Sequence, residues 1–115
     1  MQYMLLIYSE ESKWSKLTPE QLSEAMGAYM AYTQDLQKAG VLISGHELQP
    51  VATAKTVSLE TGKQKVVDGP FAETREALGG YYFITAETED EALAWAAKCP
   101  GARYGRIEVR PVVMR

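Results

Sequence analysis

The chain has 115 residues, 46% hydrophobic and 23% charged, with 12 Lys and Arg against 15 Asp and Glu for a net charge of −3. That length suits a single domain over residues 1–115, large enough to close a core without disulfides or a metal. The weak acidic balance argues against non-specific nucleic-acid or anionic-membrane binding, and the lone cysteine, Cys99, excludes an internal disulfide and a cysteine metal cluster.

Tyr3 to Tyr8 is apolar or aromatic throughout, as expected of a central strand covered on both faces. The run is too short for a membrane span or a signal-peptide core, and no basic segment precedes it; the single cysteine makes a reducing, cytoplasmic home the expectation. Ser9 to Lys16 is polar and reads as a loop. Thr18-Pro19-Glu20-Gln21 then places a capping hydroxyl, a first-turn proline and a capping-box glutamine in order. Leu22, Met26, Tyr29, Thr33 and Leu36 recur at helical steps, with Ala25 and Met30 widening the stripe, and Gly40 is the stop signal.

Val41 begins a second strand that reaches about Leu48, and Pro50 ends it. Ala52 to Leu59, the turn Glu60-Thr61-Gly62-Lys63 and the return Gln64 to Val67 predict a β-hairpin. Asp68-Gly69-Pro70 is turn chemistry. Tyr81 to Thr85 is strongly β-prone. Thr88, with Glu91 in the capping-box position, opens a second helix that Pro100-Gly101 closes, and Tyr104 to Val113 is the last strand.

The order is β-α-β, an inserted hairpin, then β-α-β, which predicts an α+β ferredoxin-like split β-α-β sandwich: one antiparallel sheet with both helices on one face. The uncovered face would carry Leu6, Tyr8, Leu42 and Tyr82 or their alternates, which are too apolar to leave wet. A homodimer with sheets facing each other is the expected cover.

Chemistry-bearing residues are few. Asp68, at a strand end and shielded by Phe71 and a tyrosine, is a candidate general base, proton relay or binding carboxylate, or else a plain turn residue. His46 is the single histidine, and Ser44 shares its strand parity, so the two point to one side of the sheet. No Gly-x-Ser-x-Gly elbow is present, which argues against a serine nucleophile. Tyr29 or Tyr82 would serve as hydrogen-bond donors, and Arg106, in a strand with Arg110 and near Arg103 and Arg115, as an anion anchor or an inter-subunit salt-bridging group. Neither metal-ligand spacing nor a Gly-rich phosphate loop occurs, so neither metal nor cofactor is expected. Cys99 at a helix C-terminus faces the negative end of the dipole and reads as structural.

From Asp68-Gly69-Pro70-Phe71 outward the chain resembles the DGPF-motif subgroup of the YCII-related domain family. Tyr3 to Ile7, Ala39 to Leu42, Glu47 to Pro50, Asp68 to Glu73, Leu78 to Tyr82, Asp90 to Leu93 and Glu108 to Pro111 follow the family's order, so the likeness spans essentially the whole chain. The resemblance implies a dimeric α/β barrel built from the ferredoxin-like fold. Some members of that family are suspected enzymes with a His–Asp pair in a dimer cleft; here Asp68 matches the aspartate, while Tyr29 stands near the helical position of the family histidine. Relatives encoded beside or fused to alternative sigma factors imply a regulatory role for some. Two expectations follow. One is a small-molecule enzyme doing proton-transfer chemistry in a dimer cleft with Asp68 as acid or base. The other is a non-catalytic ligand-binding or regulatory dimer, linked to sigma-factor-dependent transcription.

Overall fold

The computed structural model describes residues 1–72 and 74–115; Glu73, part of the motif stretch, lies outside the described residues. In chain order the elements are β1 (Gln2–Ser9), α1 (Glu11–Ser15), α2 (Pro19–Lys38), β2 (Leu42–Glu47), β3 (Lys55–Glu60), β4 (Lys63–Asp68), β5 (Ala77–Thr85), α3 (Glu89–Lys98) and β6 (Arg106–Pro111). Short 3-10 turns occupy Val51–Thr53 and Pro100–Arg103. Four strands form one antiparallel sheet in the order β2-β5-β1-β6, the ferredoxin-like arrangement expected from the sequence, and β3 and β4 pair as a separate ribbon.

Local chemistry explains the element ends. The Thr18 hydroxyl accepts from the Gln21 amide at 3.1 Å and the Gln21 side chain accepts from the Thr18 amide at 3.0 Å, a complete capping box contributing about 1 kcal/mol. Gly40, with φ +72°, takes the left-handed conformation that stops α2. At α3 the Thr88 hydroxyl accepts from the Glu91 amide at 3.2 Å, but the Glu91 carboxylate takes the Glu87 amide at 2.9 Å in place of its expected capping-box partner.

The core lies between the helices and one sheet face: Tyr3 and Leu5 of β1, Ile84 of β5, Tyr32 and Leu36 of α2, Ala92 and Ala96 of α3, and Cys99. Leu22, Met26 and Met30, expected in the buried stripe of α2, are 45%, 53% and 65% exposed. The buried row is Ala25, Tyr32 and Leu36. At 3.6 residues per turn, Met26 and Met30 lie about 100° and about 140° round from its centre.

Several boundaries differ from the sequence reading: β3 begins at Lys55 and not Ala52, after the 3-10 turn, the last strand ends at Pro111 and not Val113, and three further differences have a local cause. Residues expected as a loop after β1 contain α1, a helix too short to hold alone. It is pinned where Trp14 Nε1 donates to Ser9 Oγ at 3.0 Å and the indole packs on Tyr104 with ring centroids 5.6 Å apart. Strand β5 starts at Ala77 and not Tyr81, because Gly80 runs inside the ladder: a Cβ there would meet the His46 carbonyl oxygen at 2.8 Å. Strand β6 starts at Arg106, since Tyr104 and Gly105 close the preceding turn on the Gly101 carbonyl.

The β3–β4 ribbon stands off the sheet, and the radius of gyration of 16.1 Å exceeds the roughly 13 Å usual for a chain of this length. Its tip, Thr61 at φ +48° and Gly62 at φ +79°, has the paired positive φ values of a tight hairpin turn. Cross-strand pairs Lys55–Asp68, Val57–Val66 and Leu59–Gln64 share one face of the ribbon, and Thr56–Val67, Ser58–Lys65 and Glu60–Lys63 the other. The first face leaves Val57, Leu59 and Val66 more than half exposed.

Candidate functional site

The helices cover only one side of the sheet. On the other side, strand parity and register place Met4, Leu6 and Tyr8 of β1 beside Phe83 and Tyr81 of β5. Ser44 and His46 of β2 flank this apolar floor on one edge, and Arg106, Glu108 and Arg110 of β6 on the other. His46, Tyr81, Leu6 and Glu108 form one cross-strand row, about 14 Å from end to end at the usual strand spacing.

Two residues expected on this face are not there. Leu42 and Tyr82 pack against the helix-side core. The cause is a bulge between Leu42 and Ser44: Leu42 stands opposite Ile84 and Ser44 opposite Phe83, so the extra residue, Ile43, turns Leu42 to the other side. Tyr82 stands opposite Leu5, a core position, and the open-face alternates are Tyr81 and Phe83.

Ser44 and His46 do share the open face, as strand parity predicted. His46 Nδ1 and the Tyr81 hydroxyl are 2.8 Å apart, with the rings tilted at 5.7 Å between centroids. An imidazole hydrogen-bonded to a phenol can take a proton from a ligand and pass one on. Tyr81 is the partner that sequence reasoning missed. Its place one strand across from His46 depends on register, which no local motif announces.

Asp68 sits at the end of β4 with its side chain 85% exposed, and its carboxylate accepts from Lys55 Nζ at 2.5 Å. The turn itself is fixed by backbone and hydroxyl bonds: the Gly69 amide to the Ala54 carbonyl at 2.7 Å, and the Thr56 hydroxyl to the Gly69 carbonyl at 2.8 Å. Phe71 is 92% exposed and does not shield the carboxylate, because the turn projects from the sheet and carries its ring outward. Within a single chain, therefore, Asp68 pairs with Lys55, while His46 pairs with Tyr81. Asp68 does share the ribbon face that exposes Val57, Leu59 and Val66.

Tyr29 and Tyr82, expected as ligand donors, lie on the helix side of the sheet, opposite His46. The Tyr82 hydroxyl is 2.8 Å from Thr33 Oγ1, and burial pushes its phenol up against the opposing effect of that hydrogen bond. Tyr29 is pushed well above the ordinary phenol range, chiefly by burial and then by nearby Cys99. It also crowds Gly101, where a Cβ would meet its hydroxyl at 2.5 Å. Burial likewise raises the Cys99 thiol, and hydrogen bonds from the Gly101 backbone and Tyr29 only partly oppose this. Less thiolate forms at any given pH, so Cys99 in the folded protein is expected to react with iodoacetamide at least ~100-fold more slowly than in urea. Comparable rates in the two states would contradict this burial.

Arg106 lies at the far edge of the open face. It lines an open surface cavity of about 400 Å³ with Tyr8, Glu76, Ile107 and Glu108. Its Nε stands 3.6 Å from Glu76 Oε1, and its side chain is 85% exposed. Glu76 comes just after the motif turn, where nothing in the sequence marks it off from neighbouring Glu73 and Arg75.

Three comparisons bear on the chain. A family model described as the YCII-related domain matches residues 1–114. An uncharacterised protein of Rhizobium meliloti (strain 1021) is 36% identical over 116 residues, covering 99% of this chain and 94% of that protein. Among solved structures, 5-chloro-2-hydroxyhydroquinone dehydrochlorinase (TftG) of Burkholderia phenoliruptrix, in complex with 2,5-dihydroxybenzoquinone, superposes with a TM-score of 0.51 at 14% identity. That match covers 98% of this chain and 94% of the other, and it speaks to the fold.

Proposed function

The chain belongs to the YCII-related domain family, and we propose that it is a cytoplasmic homodimer of the DGPF-type subgroup that performs proton-transfer chemistry on a small molecule enclosed between two facing sheets. The observation that carries this reading is the His46–Tyr81 pair at 2.8 Å on an aromatic sheet face that no helix covers. A second copy is the cover whose apolar surface matches that face, and closing it as a dimeric α/β barrel would exclude water from the pair. The structural neighbour is a dehydrochlorinase with a dihydroxylated ring bound, which supports a small-molecule substrate on this fold.

His46 is the proton-transfer group of this proposal, Tyr81 its partner and Ser44 an adjoining hydroxyl. Asp68 is the second acid or base. It reaches the seam through the exposed apolar face of its ribbon, which needs cover for the same reason as the sheet, since an isolated two-stranded ribbon is marginal in water. His46→Gln and Tyr81→Phe are each expected to lower kcat about 100-fold or more in a screen of small hydroxylated and carbonyl substrates, with the melting temperature within a few degrees of the parent. Unchanged turnover in both variants would defeat the reading.

The Lys55–Asp68 ion pair favours a second reading, a non-catalytic ligand-binding or regulatory dimer, in which Asp68 serves the ribbon and its turn. Asp68→Ala then loses no activity, and because the pair is exposed it costs well under about 1 kcal/mol of stability. Loss of turnover at unchanged melting temperature would reject this alternative.

A further inference from the structure

The cavity beside Arg106 holds a carboxylate with an unmet need. Glu76 Oε2 is shut off from solvent and has no hydrogen-bond partner among the described residues, while Oε1 lies 3.6 Å from Arg106 Nε. A carboxylate oxygen in that state lacks a donor, and such buried atoms are uncommon in folded proteins. The charge of Glu76 is already answered by Arg106, and Glu108 is solvated, so the site calls for a hydrogen and not for a further positive charge.

The terminal torsion of a glutamate is broad, so a quarter-turn of the carboxylate presents Oε2 to the cavity. The wall is the ring of Tyr8, and the next row of the open face is Leu6 and Tyr81. The volume, about 400 Å³, falls at the small end of ligand cavities, which run from about 300 to 1,000 Å³. The apolar surface of Tyr8 and Ile107, beside the unpartnered acceptor of Glu76 and flanked by the solvated Glu108 and Arg106, suits a single ring bearing a hydroxyl.

We infer that this cavity is the anchoring subsite for a phenolic substrate, whose hydroxyl donates to Glu76 while its ring lies against Tyr8 and extends toward the His46–Tyr81 pair. This rests on the reading that the open sheet face is the ligand site, and it adds the substrate class. A phenol is a neutral donor, so it satisfies Glu76 while leaving the carboxylate its charge beside Arg106. An aryl ammonium would compete with that guanidinium, and an aryl ether would offer no donor.

The test is amide-resolved NMR titration of the full-length protein with catechol, anisole and benzylamine, on the parent chain and on Glu76→Gln. Catechol is expected to shift the amides of Tyr8, Glu76 and Arg106, and to bind at least about tenfold more tightly than anisole or benzylamine. Its affinity is expected to fall about tenfold in Glu76→Gln, the difference between a charged and a neutral acceptor. Equal affinity for catechol and anisole, tighter binding of benzylamine, or a Glu76→Gln variant that binds catechol as the parent does would each overturn the inference. Should that variant fail to fold, as a melting curve would reveal, the comparison of the three probes on the parent chain decides. If catechol shifts His46 and Tyr81 regardless of Glu76, the open-face site stands and the anchor falls. If no ring compound shifts any residue of that face, the underlying reading falls as well.

Discussion

Leu6→Glu is expected to convert the proposed homodimer into a folded monomer. Leu6 sits on β1, an inner strand, between Tyr81 and Glu108 on the face that the helices leave uncovered. It takes no part in the core formed by Tyr3, Leu5, Leu36 and Ile84, so the single chain tolerates a carboxylate there. In a face-to-face dimer the same carboxylate would be buried without a partner, at a cost of about 3–5 kcal/mol, a loss of affinity of at least ~100-fold. Light scattering at micromolar concentration should report a halved mass, with the far-ultraviolet spectrum and the thermal transition of a folded chain. The small-molecule site should go with the dimer, so catechol binding and turnover should vanish together. A parent protein that is already monomeric at that concentration, or a Leu6→Glu variant that still dimerises, would remove the basis for an enclosed site.

Gly105→Ala is expected to be the most damaging of the conservative substitutions. Gly105 ends the turn before β6, and a Cβ there would overlap the carbonyl oxygen of Tyr8 and lie 3.0 Å from Ser9 Cα. Both atoms belong to the backbone of β1, which pairs with β6 over Tyr8–Arg106 and beyond, so no side chain can swing aside. The strands must part or the turn must be rebuilt, costing about 3 kcal/mol or more and lowering the melting temperature by about 10 °C or more. Gly27→Ala is the matching control. Gly27 lies within α2 with nothing within 4 Å of an added Cβ, so alanine there should stabilise by about 0.5–1 kcal/mol through helix propensity. A calorimetric comparison in which Gly105→Ala melts with the parent would mean that β1 and the turn are not held as closely as described.

Much of the fold was readable from local pattern. The Thr18 capping box, the stop at Gly40 and the hairpin tip at Thr61-Gly62 each act within a few residues, so the chemistry that sets them is visible in a short window of sequence. The order of strands and helices followed, and with it the ferredoxin-like sheet. The pairing of Ser44 and His46 on one face was also available from strand parity.

The candidate site was less legible. Asp68, the most conspicuous residue of the motif, turned out exposed and paired to Lys55, because the whole ribbon stands clear of the sheet. Tyr81 and Glu76, which meet His46 and Arg106 respectively, come from β5 and the segment before it and sit far from their partners in sequence.

The sequence alone determined the two long helices, the strands and their order, because hydrophobic period and turn chemistry are local quantities, but not α1, which tertiary contacts of Trp14 hold in place. Only the tertiary structure decided which side chains face which side of the sheet. Facing depends on register accumulated along each strand, and one added residue at Ile43 was enough to send Leu42 into the core while His46 stayed outside beside Tyr81.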